Sequence, residues 1–231
     1  VYGGGDQDGV VVKLSPDCKN LIFASYLGGS REDACFVLKL NPANGDIYVA
    51  GATASNADFP GDKSGVQQPA YAGGVCDAFI SIISNDGHLL KKTTFLGTTG
   101  FDAIYGIEFD KKGFPYVMGS TTGDCTTTPN VTFINPGAKQ FVGKLEPDLS
   151  KYVYSTTFGK AGPNPNISPV AFLVDRCENV YVAGWGGPVF GNIYRVAGTA
   201  GMYVTSNANK KTTDGMDFYF FVLKRDAASV L

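Results

Sequence analysis

Few residues of this chain could do chemistry, and most of them are carboxylates. Asp33 and Asp102 recur sixty-nine residues apart, each ahead of an apolar run. Asp8, Asp77 and Asp217 form a second recurring set. Paired carboxylates suit acid–base work when their surroundings split their acidities, or Ca²⁺ binding through oxygen ligands. Ca²⁺ at Asp33 and Asp102 is therefore the one cofactor candidate. The favoured role is local, with Asp accepting backbone N–H bonds in turns and caps, because Ser168 stands at the corresponding place in the third copy and breaks the series. The only histidine, His88, lies in Asn85-Asp86-Gly87-His88 and reads as an exposed turn residue. Cys18, Cys35, Cys76, Cys125 and Cys177 are widely spaced, with no C-x-x-C pair, so no zinc site is expected. An odd number of thiols leaves at least one outside any internal disulfide. No nucleophile with a tuned base stands out, and the chain is not expected to be an enzyme.

Binding chemistry is concentrated in an insertion, 185–216, between Gly184 and Asp217. It carries the sole tryptophan, Trp185, then Gly186-Gly187, Phe190, Tyr194, Arg195 and Tyr203. Loops beyond about 12–15 residues are uncommon unless functional or disordered. Aromatic rings beside Arg suit sugar stacking or protein contact. The same rings would equally cover the edge of a sheet, with Trp185 in the core, and both readings stay open. The threonine-rich string 121–129 reads as a solvated loop without chemistry.

The elements that position these residues follow from composition and repetition. Hydrophobic residues make up 44% and charged residues 17%, which excludes a disordered tail. With 30 Gly and 12 Pro, the chain suits many short strands joined by turns better than long helices. A net charge of −2 provides no positive field for nucleic acid or anionic lipid. No run approaches the roughly 20 apolar residues of a membrane span, and no signal peptide is recognisable. The chain starts at Val1 without Met and ends on the apolar pair Val230-Leu231, which looks like the start of a strand. It is read as a piece of a longer, processed polypeptide.

Three strings recur with nearly one period. Ile47-Tyr48-Val49-Ala50-Gly51 returns at Pro115–Gly119 and Val180–Gly184; Tyr26-Leu27-Gly28 returns as Phe95-Leu96-Gly97 and Thr157-Phe158-Gly159. A third family begins at Val10, Phe79, Phe141 and Phe221. The unit is about 65 residues and holds four strand-like segments, which in one copy are Ile104–Phe109, Phe114–Ser120, Gln140–Leu145 and Tyr152–Phe158. Polar Gly-ended links such as Asp110–Gly113 read as hairpins. Ser30–Asp33 resembles a helix capping box, but the repeat equivalents of Ala34–Leu40 are β-branched or broken by Gly and Pro, so a strand is predicted. Ile47–Ala50 and Phe218–Leu223 are apolar on both sides, which predicts sheets covered on both faces. The fold class expected is all-β: a β-propeller of four-stranded antiparallel blades, of which this chain covers about three to four. Residues 8–29 would supply the last two strands of one blade, 34–98 and 102–159 two whole blades, and 168–231 a blade cut off at its last strand. Blades are missing, and they are expected from the same longer chain or from a partner. In a propeller the connection carrying Asp33 and Asp102 faces the ring opening, which would place both at a channel mouth.

The order Tyr26-Leu27-Gly28-Gly29-Ser30, Gly45–Gly51, Asp58-Phe59-Pro60 and Gly73–Ile80 resembles the bacterial SBBP-type β-propeller repeat over nearly the whole chain. Asn166-Ile167-Ser168-Pro169 and Asp175–Gly187 are more particularly similar to large Bacteroidetes surface proteins. In those proteins such propellers precede PKD-like domains and a gliding-motility or type 9 secretion signal. Lys139-Gln140 departs from the family's acidic pattern before Phe141, and Gly159-Lys160 lacks the double glycine. The resemblance implies a secreted or cell-surface protein. The expected function is a non-catalytic scaffold supporting adhesion or assembly with other surface or secretion-machinery proteins. Alternatives are a glycan-binding propeller using Trp185, Phe190, Tyr194, Arg195 and Tyr203, a hydrolase or lyase using Asp33 with Asp102, and a secretion substrate held by export machinery.

Overall fold

A computed structural model describes residues 2–187 and 196–229. The described residues form thirteen strands: β1 (Gly9–Leu14), β2 (Leu21–Leu27), β3 (Asp33–Leu40), β4 (Ile47–Thr53), β5 (Asp77–Ile83), β6 (Leu90–Phe95), β7 (Asp102–Phe109), β8 (Pro115–Thr121), β9 (Gln140–Leu145), β10 (Tyr152–Phe158), β11 (Ser168–Val174), β12 (Val180–Trp185) and β13 (Phe218–Leu223). One 3₁₀ turn follows at Arg225–Ala227. The strands make four antiparallel sheets in chain order: β1-β2, β3-β4-β5-β6, β7-β8-β9-β10 and β11-β12-β13. None of them closes into a barrel. The protein is all-β, and among the described residues no helix is long and apolar enough to cross a membrane.

Ala34–Leu40 is strand, as part of β3, despite the local capping signal. The reason is tertiary: β3 pairs along its whole length with β4 and packs on β7. The first strands of the three larger sheets each carry a bulge at one equivalent residue. Register slips across Phe36 in β3, Tyr105 in β7 and Val170 in β11. Bulges bend a strand and sharpen its twist, so the repetition gives each sheet the same shape. Tyr48, Tyr116 and Tyr181 occupy one place in the second strands, opposite Ile82, Lys144 and Val222.

Cross-strand register corrects one alignment. Gly51, Gly119 and Gly184 face Phe79, Phe141 and Tyr219, so Tyr219 rather than Phe221 is the third-strand equivalent. The run of four aromatic residues from Phe218 to Phe221 conceals this in the sequence, because any of them satisfies the apolar pattern.

The turns after the third strands repeat as closely. Ser15, Ser84, Glu146 and Lys224 each donate their N–H to a carbonyl five residues on, those of Asn20, Leu89, Lys151 and Ser229. The fourth residue of each turn has positive φ: Cys18 at 57°, Gly87 at 79°, Leu149 at 62° and Ala227 at 52°. The first three turns lead into β2, β6 and β10. Val230-Leu231 lies outside the described residues.

Cores form between sheets. Val11 and Leu27 pack with Val49, Phe79 and Phe95; Ile80 and Ile82 with Ile104, Ile107 and Val117; Val142 and Tyr154 with Val180, Val182 and Phe221. β4 and β5 are buried throughout because both of their faces are covered. The expectation that Phe218–Leu223 is covered on both sides is corrected for its first half, since Phe218 and Phe220 are exposed while Phe221, Val222 and Leu223 are buried. The 121–129 string is corrected too. Thr121 is buried in β8, and Thr128 exchanges bonds with Ser155 on the edge strand β10. With Asn135 N–H bonded to the Thr157 carbonyl, the connection from β8 to β9 covers an edge that would otherwise be free. Asp62 and Gln68 do the same for β6.

Candidate functional site

The recurring carboxylates lie where one sheet hands over to the next. Asp33, the first residue of β3, accepts the Gly29 N–H at 2.7 Å and the Ser55 hydroxyl at 2.9 Å. Asp102, the first residue of β7, accepts the Thr98 N–H at 2.7 Å and its hydroxyl at 3.0 Å. Both side chains cap the connection that precedes their own strand. In the third copy register places Ile167 rather than Ser168 at the equivalent position, since Pro169 lies opposite Gly184 as Cys35 and Ile104 lie opposite Gly51 and Gly119; the adjacent Asn166 takes over the cap, accepting the Lys160 N–H at 2.7 Å. A buried amide therefore fills the place that looked broken in the sequence.

The structure also re-pairs these carboxylates. Asp33 faces Asp8, and Asp102 faces Asp77, across the glycine of each Leu-Gly string. This explains why the residue is glycine. A Cβ on Gly28 would lie 2.3 Å from Asp8 Oδ1 and 2.8 Å from Asp33 Oδ2, and one on Gly97 would lie 2.1 Å from Asp77 Cγ. Burial raises the pKa values of Asp33 and Asp102 above the ordinary carboxylate value. Asp77 is pushed up to about 7, first by burial and then by the negative charge of Asp102, although the Ala72 N–H at 2.6 Å pulls the other way. Asp77 Oδ1 has no hydrogen-bond partner among the described residues. Oxygen ligands for Ca²⁺ would have to come from carboxylates already engaged with their own backbone. No cluster of three metal-binding side chains occurs among the described residues.

His88 is exposed in its turn, with its N–H on Asp86 Oδ1. All five cysteines are free thiols. Burial pushes Cys35 and Cys125 up to about 12 and Cys76 up to about 11, far from the thiolate a nucleophile needs.

One charged cluster was invisible in the sequence. Lys144 of β9 is buried, with Nζ 3.0 Å from Asp110 Oδ2 and 2.9 Å from Glu178 Oε2. It lies 4.9 Å from the ring centroids of both Phe114 and Tyr116. The Tyr116 hydroxyl donates to the same Glu178 oxygen at 2.9 Å. Burial alone would depress Lys144, but the two carboxylates hold it above its ordinary value. Glu178 is pushed up by burial yet ends below its ordinary value because of the Lys144 and Tyr116 hydrogen bonds. The cluster clamps the third sheet to the fourth.

Of the insertion residues, Phe190, Tyr194 and Arg195 lie outside the described residues. Trp185 ends β12, half-buried, opposite Phe218 and Ser168. Tyr203 is exposed, accepts the Tyr219 hydroxyl on its carbonyl at 2.7 Å and meets Phe133 edge-on at 6.0 Å. It borders a groove of about 130 Å³ together with Lys210, Phe218, Tyr219 and Phe220. These partners were missed because the aromatic run reads as core strand. The far part of the insertion returns to the sheets: Ala197 N–H bonds the Pro165 carbonyl, Asn166 Nδ2 bonds the Gly198 carbonyl, and Met202 is buried in the core.

The fold and this site define an all-β protein of serially stacked antiparallel sheets with internal carboxylate caps. The chain matches no protein-family model and no curated protein.

Proposed function

We propose that this chain is a non-catalytic binding scaffold, formed by successive blades of a β-propeller. The observation that supports it most is the serial packing of sheets with repeated bulges and turns, in which β7 packs on β3, β4 and β5 and β11 packs on β7. Four-stranded sheets stacked by sequence repetition are the arrangement of a propeller. The candidate acids serve the frame, because Asp33 and Asp102 are consumed by caps. The exported surface setting, with a link to adhesion, gliding or type 9 secretion, rests on the motif resemblance.

Glycan binding is the second reading, supported by the Tyr203, Phe218 and Phe220 groove beside Lys210. A glycan array with wild type, Trp185→Ala and Tyr203→Ala separates the two. The scaffold reading expects no glycan signal that either substitution abolishes. A signal lost in Tyr203→Ala with folding intact overturns it in favour of the glycan reading.

A further inference from the structure

The Lys144 cluster belongs to one copy of the repeat. Ile82 and Val222 face Tyr48 and Tyr181, whereas Lys144 faces Tyr116. The residue that opens each hairpin turn recurs as Asn41, Asp110 and Asp175, and each accepts the N–H two residues on. The second oxygens of the two acids differ. Asp175 Oδ2 is held by Asn179 at 2.9 Å and by the Tyr181 hydroxyl at 3.0 Å. Asp110 Oδ2 has no hydrogen-bond partner among the described residues; its neighbour is Lys144 Nζ, at 3.0 Å but out of line for a hydrogen bond. Glu178 also breaks the pattern. Its turn position is held elsewhere by Gly45 and Gly113, with φ of 76° and 85°, yet Glu178 takes φ of 66° there, where a side chain is strained.

These are the parts of an amide-forming reaction. Asp110 Oδ1 accepts the Lys112 N–H at 2.8 Å and the Phe114 N–H at 3.0 Å. Two backbone donors on one carboxyl oxygen stabilise the negative charge that develops there when the carbon is attacked. An amine stands beside the other oxygen. Glu178 Oε2 lies 2.9 Å from Nζ, within reach to take and return a proton. Lys144 and Asp110 are 7% and 5% exposed, and the rings of Phe114 and Tyr116 lie against Nζ. Exclusion of water favours the neutral amine and neutral acid that the reaction needs.

We propose that Lys144 and Asp110 join in a self-catalysed isopeptide bond, with Glu178 as the proton carrier. A proton passes from the Lys144 ammonium to Asp110 Oδ2, leaving an amine and a carboxylic acid. The Nζ lone pair attacks Asp110 Cγ, and Oδ1 takes the negative charge under its two N–H donors. Glu178 removes a proton from the attached nitrogen and delivers it to the Oδ2 hydroxyl, which leaves as water. The Nζ–Cγ bond replaces the Cγ–Oδ2 bond, and Glu178 ends ionised, as it began. Because the two carboxylates hold Lys144 charged above its ordinary value, the amine is a minor form and the bond closes slowly after folding. It ties the β7–β8 turn to β9 across β8, and it stands or falls independently of the scaffold reading.

The test is intact-mass spectrometry of the denatured full chain after the folded protein has been held in neutral buffer. Wild type should be lighter than its sequence by one water. Peptide mapping should find a single species joining the tryptic peptides that contain Asp110 and Lys144, with cleavage after Lys144 blocked. Asp110→Asn should cross-link with loss of one ammonia instead. Glu178→Gln should keep its full mass while circular dichroism shows the native fold, and the Asp110→Asn result decides the matter even where that variant fails to fold. The proposal is overturned if wild type and Asp110→Asn both keep their full mass, or if the missing water maps to an Asp-Gly step such as Asp86-Gly87. Cross-linking of Glu178→Gln as fast as wild type overturns it as well.

Discussion

Asp77 carries a pH signature. Its carboxyl ionises near 7 in the folded protein and near 3.8 when unfolded, so the native state holds the proton more tightly. Its stabilising contribution is complete below about pH 4 and is lost as pH rises through 7. Asp77→Asn, neutral throughout, should therefore gain on wild type across that interval, by up to about 1.4 kcal/mol per pH unit. Paired urea titrations at pH 4, 5.5 and 7 check this, and a constant difference would sink it. Lys144 works in the opposite sense. Removing it leaves Asp110 and Glu178 without their cation, so Lys144→Ala should cost about 3–5 kcal/mol. Lys144→Met combined with Asp110→Asn should recover part of that loss in the same titrations. Neither role could be read from residue types. Lys144 looked like any strand lysine, and only the approach of the Asp175–Asn179 turn from the next sheet brings Glu178 to it.

Among the elements, the turns after the third strands were visible only as polar gaps. Their shared geometry appears in the positive φ at Cys18, Gly87, Leu149 and Ala227. A side chain in that region costs about 1–2 kcal/mol relative to glycine. Cys18 is exposed and makes no core contact to lose, unlike the fully buried Leu149. Cys18→Gly should raise stability by roughly 0.5–1 kcal/mol, the gain being trimmed by the greater freedom of unfolded glycine. A lower thermal midpoint would contradict the assignment. The strands themselves were legible: the strand predicted over 104–109 runs from Asp102, and Gln140–Leu145 and Tyr152–Phe158 match the observed ends. Insertions were not legible, because a threonine-rich loop that covers a sheet edge has the same letters as one that waves in water.

At the scale of the molecule, the main contacts between sheets among the described residues join neighbours in the series, so protection should be graded rather than uniform. β4, β5, β8 and β9 are buried throughout, while β2, β3 and β11 are half open. Native-state hydrogen exchange should show the slowest amides in the first group. It should show exchange faster by about tenfold or more, or 1.4 kcal/mol of local opening, in the second. Equal protection everywhere would mean that the stack unfolds as one unit and that the open faces carry no penalty.

Repetition of Tyr-Val-Ala-Gly and Leu-Gly at about 65 residues was enough by itself to define strands, their order and their grouping into sheets of two, four, four and three. A repeated string must solve the same packing problem each time, so local ambiguity averages out, as it did for β3. Tertiary structure alone decided which carboxylate faces which, that Asn166 substitutes for an aspartate one position away, that Tyr219 holds the third-strand place, and which apolar faces lie open. Those outcomes depend on which side of a strand meets the next sheet. That relation joins residues far apart in sequence, and no local pattern encodes it.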